Sequence, residues 1–377
     1  MTTDNQLKEM FKIYSITQMV SSTISILASL TLLFMILRSN QKLRSTLHRL
    51  LLGLCISDLI SSFAMSFAST LSPPDHVLGW NTFGNMTLCR TQGFLHIVGH
   101  MASPLYNCSL CVYYLIEIKY TNLVVHMRRI EICMHATSIL IAFAFGTASL
   151  FLDTIKPSPT NCMAGETYPF ECRFNPEVEC EGGVQYGEHM MFSVVYTFIQ
   201  FVFVPVTVFV SMTMIYREVA SQEVRMNQYR FSFTRRGSTS AHRNTTAARN
   251  RAAAYSLAWL LSWSTLIIIG IMRLFITDHD VDLCPFGIAL MHYVLFPLQG
   301  LFNVFAYICS KVMARMYHYE REGVANPLRF LLSLRDIVIS KGRASAASRP
   351  ANSAITFRRS TSSRSTRRLD EGEDGTL

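Results

Sequence analysis

The stretch Pro297-Leu298-Gln299-Gly300-Leu301-Phe302-Asn303-Val304-Phe305-Ala306-Tyr307 lies inside the last long apolar run of a 377-residue chain. A helix in lipid is expected to be apolar, because hydrocarbon offers polar groups no partner, yet this run holds a proline, a glutamine, a glycine and an asparagine. Gln299 and Asn303 are four apart and share one helix face, with Gly300 beside the first. Polar residues kept on one face of a span need a polar interior to point into, so the stretch calls for a bundle of several spans.

The rest of the chain supplies them. Half of the residues are hydrophobic and only 16% are charged, against roughly 25% in a soluble domain. Apolar runs fall near 16–37, 47–71, 90–116, 132–152, 190–216, 254–276 and 286–309, each about as long as hydrocarbon requires. The expected fold is an all-α membrane protein, a seven-helix transmembrane bundle over 16–310. A short segment 1–15 precedes it, an amphipathic membrane-surface helix 311–325 follows, and a Ser/Arg-rich tail 326–377 reads as disordered. Residues 1–10 are polar and show no cleavable signal peptide.

Charge sets the orientation. Of the 34 lysines and arginines, 28 fall between spans 1–2 (counting Arg49 at the start of span 2), 3–4 and 5–6 or in the tail, which places the N-terminus outside and the C-terminus in the cytoplasm. Residues 217–251 alone carry eight arginines, a surface suited to an acidic partner protein or anionic membrane lipid. The excess of +9 is therefore a cytoplasmic face, and no nucleic acid is expected as a partner.

Cys55, Cys108, Cys111, Cys133 and Cys309 lie within spans and read as packing residues. Cys89, Cys162, Cys172, Cys180 and Cys284 lie outside, where bridges form. A bridge from Cys89 to Cys172 is preferred, although spacing alone does not determine connectivity. Asn85-Met86-Thr87 is an outer glycosylation sequon. Ser238 follows Arg235-Arg236-Gly237, while Ser360 and Thr361 follow Arg358-Arg359. Both resemble sites of basic-directed kinases, the bland alternative being a solvated basic surface.

Seven spans, an outer N-terminus and a cysteine opening span 3 together resemble a G-protein-coupled receptor over roughly residues 15–320. Leu54-Cys55-Ile56-Ser57-Asp58-Leu59 resembles the rhodopsin-like Leu-x-x-x-Asp-Leu, whose aspartate lines a sodium and water pocket. Asn303-Val304-Phe305-Ala306-Tyr307 is similar to Asn-Pro-x-x-Tyr, with valine in place of proline. Span 3 ends in Tyr113-Tyr114-Leu115 where an Asp-Arg-Tyr is expected, and Trp259-Leu260-Leu261-Ser262-Trp263 lacks the proline of the tryptophan switch. Leu298-Gln299-Gly300-Leu301-Phe302, with Arg44, His48 and Glu117, looks instead like the cyclic-AMP-receptor-like and secretin-like groups.

The resemblance implies a plasma-membrane receptor that takes an extracellular small molecule or peptide and activates a heterotrimeric G protein through outward movement of cytoplasmic helix ends. Its switch would be the polar core Asp58, Asn107, Gln299, Gly300, Asn303 and Tyr307, and its cytoplasmic latch His48 with Glu117. Gln92, His96, His100, Arg273 and His292 are candidates for the ligand pocket by position. No cofactor, metal or enzymatic activity is expected. His96 and His100 are four apart but lack an evident third ligand, and no nucleophile–base set is visible. A retinal protein would need a lysine within 286–309, and none is present. The alternative is a seven-helix transporter or channel, which would show internal repeats or several charges along a path.

Overall fold

The computed structural model describes residues 2–39, 42–74, 79–164, 177, 190–229, 238–275 and 285–321. Its helices are α1 (Thr2–Arg38), α2 (Thr46–Ser66), α3 (Met86–Ile118), α4 (Met127–Phe151), α5 (Met190–Phe198), α6 (Val204–Tyr229), α7 (Ser238–Phe275), α8 (Phe286–Leu295) and α9 (Gln299–Arg321). A two-stranded antiparallel hairpin, β1 (Ile155–Pro157) and β2 (Cys162–Ala164), follows α4.

Among the described residues five stretches are long and apolar enough to cross a membrane: Asn5–Arg38, Thr46–Ser66, Asn122–Phe151, Met191–Gln222 and Ala247–Met272. The pair α8 and α9 passes together as one span bent by 56°. With α3 the bundle has seven. The exception of α3 has a physical reason: it is the central helix, with 21 of its 33 residues buried, against six of 25 in α4. A span surrounded by other helices can carry Gln92, Ser103, Asn107 and Ser109 where a lipid-facing one cannot.

Two helix breaks follow from proline. Pro297 lies between α8 and α9, where its ring and missing N–H end one helix before the next begins. Pro205 opens α6, and the chain absorbs the lost hydrogen bond in one π-helical turn, Ile199–Phe203, which joins α5 to α6. Toward the N-terminus, α1 begins at Thr2, well before the apolar run, and its Tyr14 stacks on Phe286 and Tyr293. At the other end, residues 311–321 continue α9 without interruption, while 322–325 lie outside the described residues.

The disulfide corrects the sequence expectation. Cys89 bonds to Cys162, not to Cys172, which lies outside the described residues together with Cys180 and Cys284. The hairpin folds straight back from α4 over the N-terminal end of α3, with Ile155 against Gly93, so β2 delivers the first cysteine after α4 to Cys89. Asn85 is exposed and caps α3 by accepting a hydrogen bond from the Leu88 N–H at 2.9 Å. Ser360 and Thr361 fall outside the described residues, as does the side chain of Ser238.

Candidate functional site

Asp58 on α2 is 3% exposed, and its two carboxylate oxygens are served from two other spans. Ser103 Oγ on α3 donates to Oδ1 at 2.5 Å, and Asn303 Nδ2 on α9 donates to Oδ2 at 2.7 Å. Gln299 Nε2 donates to Ser103 Oγ at 2.6 Å, while Trp263 Nε1 on α7 donates to Gln299 Oε1 at 3.2 Å. Gln299 and Asn303 reach these partners from one face of α9, as their spacing requires. Gly300 holds that face close to α1: a Cβ there would run into Ser25 and Ser29, and its own N–H donates to Ser25 Oγ at 3.1 Å. Asn107 Nδ2 donates to the Ser103 carbonyl at 3.4 Å.

A small cavity borders this network, lined by Asp58, Ser103 and Gln299 below and by His100, Phe296 and Pro297 above. It has room for about one water-sized occupant. The Oδ1 atoms of Asn303 and Asn107 are buried without a hydrogen-bond partner among the described residues. The Asp58 carboxylate, the Ser103 hydroxyl and the Gln299 amide give the cavity polar groups that suit a water or a small hard cation.

Above the cavity three histidines gather. His100 Nδ1 lies 2.6 Å from Tyr196 Oη, and its ring stacks on Trp263 at 4.8 Å between centroids. His96 lies 5.5 Å from His100 ring to ring, and its Nε2 is buried without a partner among the described residues. His292 stacks on Phe296 at 5.1 Å and meets Thr265 Oγ1 at 3.4 Å. Gln200, carried inward by the π-helical turn, is 1% exposed and donates to the His100 carbonyl at 3.4 Å. Gln92 sits apart from this cluster: it donates to the carbonyls of Ala64 and Ala68 and secures the end of α2. The side chain of Arg273 is outside the described residues. Among the described residues no three His, Cys, Asp or Glu are grouped to hold a metal ion.

A family model, the 7 transmembrane receptor (rhodopsin family), matches residues 29–307. The chain belongs to that family. A comparison with curated proteins returned no match. The match does not favour a transporter or channel, and the likeness to the cyclic-AMP-receptor-like and secretin-like groups rests on the short stretches quoted above alone.

At the opposite end of the receptor's bundle, Glu117 on α3 is hydrogen-bonded to Tyr113 and lies within electrostatic reach of Arg251 on α7. His48, buried on α2, is not among these neighbours. An ion pair ties span 2 to span 4: Arg49 Nη2 donates to Glu131 Oε2 at 2.6 Å, its Nε donates to Oε1, and Thr46 Oγ1 adds a bond at 2.9 Å. His135 Nδ1, one turn along, meets Tyr106 Oη at 3.0 Å. Sequence reading missed Gln200, Tyr196 and this pair. The spacing of Glu131 and His135, four apart at the start of span 4, was the available signal for the last.

Proposed function

We propose that the chain is a plasma-membrane receptor, N-terminus outside, which binds an extracellular small molecule or peptide among His96, His100 and His292 and activates a heterotrimeric G protein. The observation that carries this is an unbroken series of contacts from the histidine cluster to the polar core. Tyr196 bonds to His100, His100 stacks on Trp263, Trp263 donates to Gln299, and Gln299 reaches Asp58 through Ser103. A ligand that displaces His100 or Trp263 changes the partners of Gln299, and with them the position of α9. A cation would be held in the cavity beside Asp58, Ser103 and Gln299, neutralising the carboxylate in the ligand-free state.

The cytoplasmic output is an outward swing of α7. Glu117 and Arg251 join spans 3 and 6 in the closed form, the role expected from sequence of Glu117 with His48, and a ligand shifts the population toward the form in which they part. Membrane lipids contact the basic cytoplasmic face, and phosphorylation of Ser238, Ser360 or Thr361 would change its charge.

The test is a second-messenger assay in cells expressing the chain, screened against nucleotides, peptides and small metabolites, with Glu117→Gln run beside the wild type. A raised basal signal in Glu117→Gln at equal surface level supports a latch. A chain that never changes a second messenger, with cysteines substituted along α3 and α9 labelled from both sides of the membrane, would point to a pore and overturn the proposal.

A further inference from the structure

The turns that lead into spans 2 and 4 are joined by a single side chain. Arg49 on α2 donates through Nη1 to the Leu43 carbonyl, in the turn after α1, at 2.5 Å and through Nη2 to Glu131 Oε2 on α4 at 2.6 Å. Glu131 is buried and is the only acid in residues 38–57 and 118–152. Glu117, just before the second stretch, is bonded to Tyr113. Arg38, Arg44, Lys119, Arg128 and Arg129 are exposed at this end, and none enters an ion pair among the described residues. The same turns present apolar side chains between the cations. Leu43, Leu123 and Val124 are exposed, and Val125, in the short helical turn Thr121–His126, is 85% exposed. That turn is held from behind, where Tyr120, Met127 and Ile130 pack against the core.

Length sets the depth of this surface. The stretch Asn122–Phe151 passes as one apolar span of 30 residues. At 1.5 Å per residue it is about 45 Å long, against about 30 Å of hydrocarbon and about 40–45 Å with the headgroup layers included. Its first residues therefore lie among headgroups. Alkyl side chains there enter the boundary with the acyl chains, while guanidinium and ammonium groups meet phosphates and carboxylates of lipid. With Glu131 already paired to Arg49, the surface opposes anionic headgroups with no open carboxylate between residues 118 and 152. An acidic protein would satisfy the cations, but it would have to enter the headgroup layer to cover the valines.

We propose that the turns around Leu43 and Val125, tied together through Arg49 and Glu131, bind anionic phospholipid of the cytoplasmic leaflet. Arg44 and Arg128 flank the tie, one residue from Leu43 and one helical turn from Glu131, and are the cations that meet the headgroup. The cytoplasmic side follows from the reading above. Lipid binding itself is measured in micelles, which have no sides, and with no G protein present, so failure here is distinguishable from failure of orientation or of coupling.

The experiment titrates the full chain, in neutral detergent micelles, with phosphatidylserine and in parallel with phosphatidylcholine, and counts bound lipid by native mass spectrometry. Phosphatidylserine is expected to bind more tightly. Arg44→Gln and Arg128→Gln should each weaken it about fivefold and leave phosphatidylcholine unmoved, as loss of one cation at a membrane surface predicts. Val125→Ser keeps every charge and should still weaken phosphatidylserine severalfold, which attraction to charge alone would not do. Arg225→Gln on α6 removes an exposed cation elsewhere and should change little. All four side chains are exposed, so unfolding midpoints should stay at the wild-type value. Equal affinity for the two lipids overturns the proposal, and so does a loss in Arg225→Gln as large as in Arg44→Gln and Arg128→Gln. A Val125→Ser chain that binds phosphatidylserine as the wild type does but loses second-messenger output assigns the turn to a protein partner, and the proposal falls.

Discussion

Asp58 and Arg251 are two charged centres of this bundle, and the fold treats them in opposite ways. Around Asp58 a carboxylate is met by donors from two other spans, and Gln299, itself held by a hydrogen bond from α7, donates to one of those donors. Around Arg251 a guanidinium lies near one acid, and the buried hydroxyls of Tyr114, Tyr255 and Tyr307, from three spans, have no partner among the described residues. A carboxylate whose two oxygens accept from two different spans specifies one arrangement of helices. Polar groups left unmet cost free energy that only a rearrangement recovers. The first centre therefore sets the resting bundle, and the second marks where it changes.

Removing a partner of the carboxylate breaks this contrast most sharply. Asn303→Ala should lower the stability of the purified receptor by about 1.5–3 kcal/mol, the worth of a hydrogen bond to a charged group. If the cluster only packs neutral helices together, the loss should be near 0.6 kcal/mol per bond, the average for polar contacts inside membranes. Thermal unfolding separates the two magnitudes, and second-messenger output should fall with the larger one.

Gly300→Ala comes next. The added methyl meets Ser25 and Ser29 on α1, so α9 is pushed away from the position in which Asn303 reaches Asp58. Overpacking of this kind costs about 1–3 kcal/mol. Gly287→Ala on α8 is the control, because nothing lies within 4 Å of a Cβ there. Equal unfolding midpoints for the two variants would show that close approach of α1 and α9 does not hold the site.

Gln299→Leu is expected to be milder, about 1 kcal/mol, since it leaves the Trp263 N–H buried and unpaired while keeping the apolar volume. Its effect on signalling should exceed its effect on stability, because Gln299 joins the histidine cluster to Asp58. A variant that loses stability yet responds to the screened ligands as the wild type does would place the link elsewhere.

How much of this was legible in the sequence depends on what each feature requires. Seven spans follow from run length and hydropathy alone, and the charge bias follows from composition. Asp58, Gln299 and Asn303 were legible as a set because a carboxylate in hydrocarbon must find partners and two amides one turn apart offer them. The partner of Cys89 was not, because it depends on where the hairpin after α4 turns back. Gln200 was hidden because a π-helical turn adds a residue and shifts the face that α5 and α6 present. Gln92 reads from sequence as a pocket residue, but whether it faces the pocket or the end of α2 depends on the rotation of α3. Glu117 with Arg251 needs the relative rotation of two spans distant in sequence, and no periodicity encodes that.

The smallest expected effect tests the other half of the comparison. Tyr255→Phe removes a hydroxyl that is 2% exposed with its ring and has no partner among the described residues. Losing a bonded hydroxyl at such a site would cost about 1–3 kcal/mol, whereas losing an unbonded one should change stability by less than about 0.5 kcal/mol or raise it. Asn303→Ala and Tyr255→Phe thus remove polar groups of similar burial with opposite consequences. A marked loss of stability in Tyr255→Phe would mean that the hydroxyl is already satisfied in the resting receptor. The centre around Arg251 would then be as complete as the one around Asp58, and the division of labour between them would disappear.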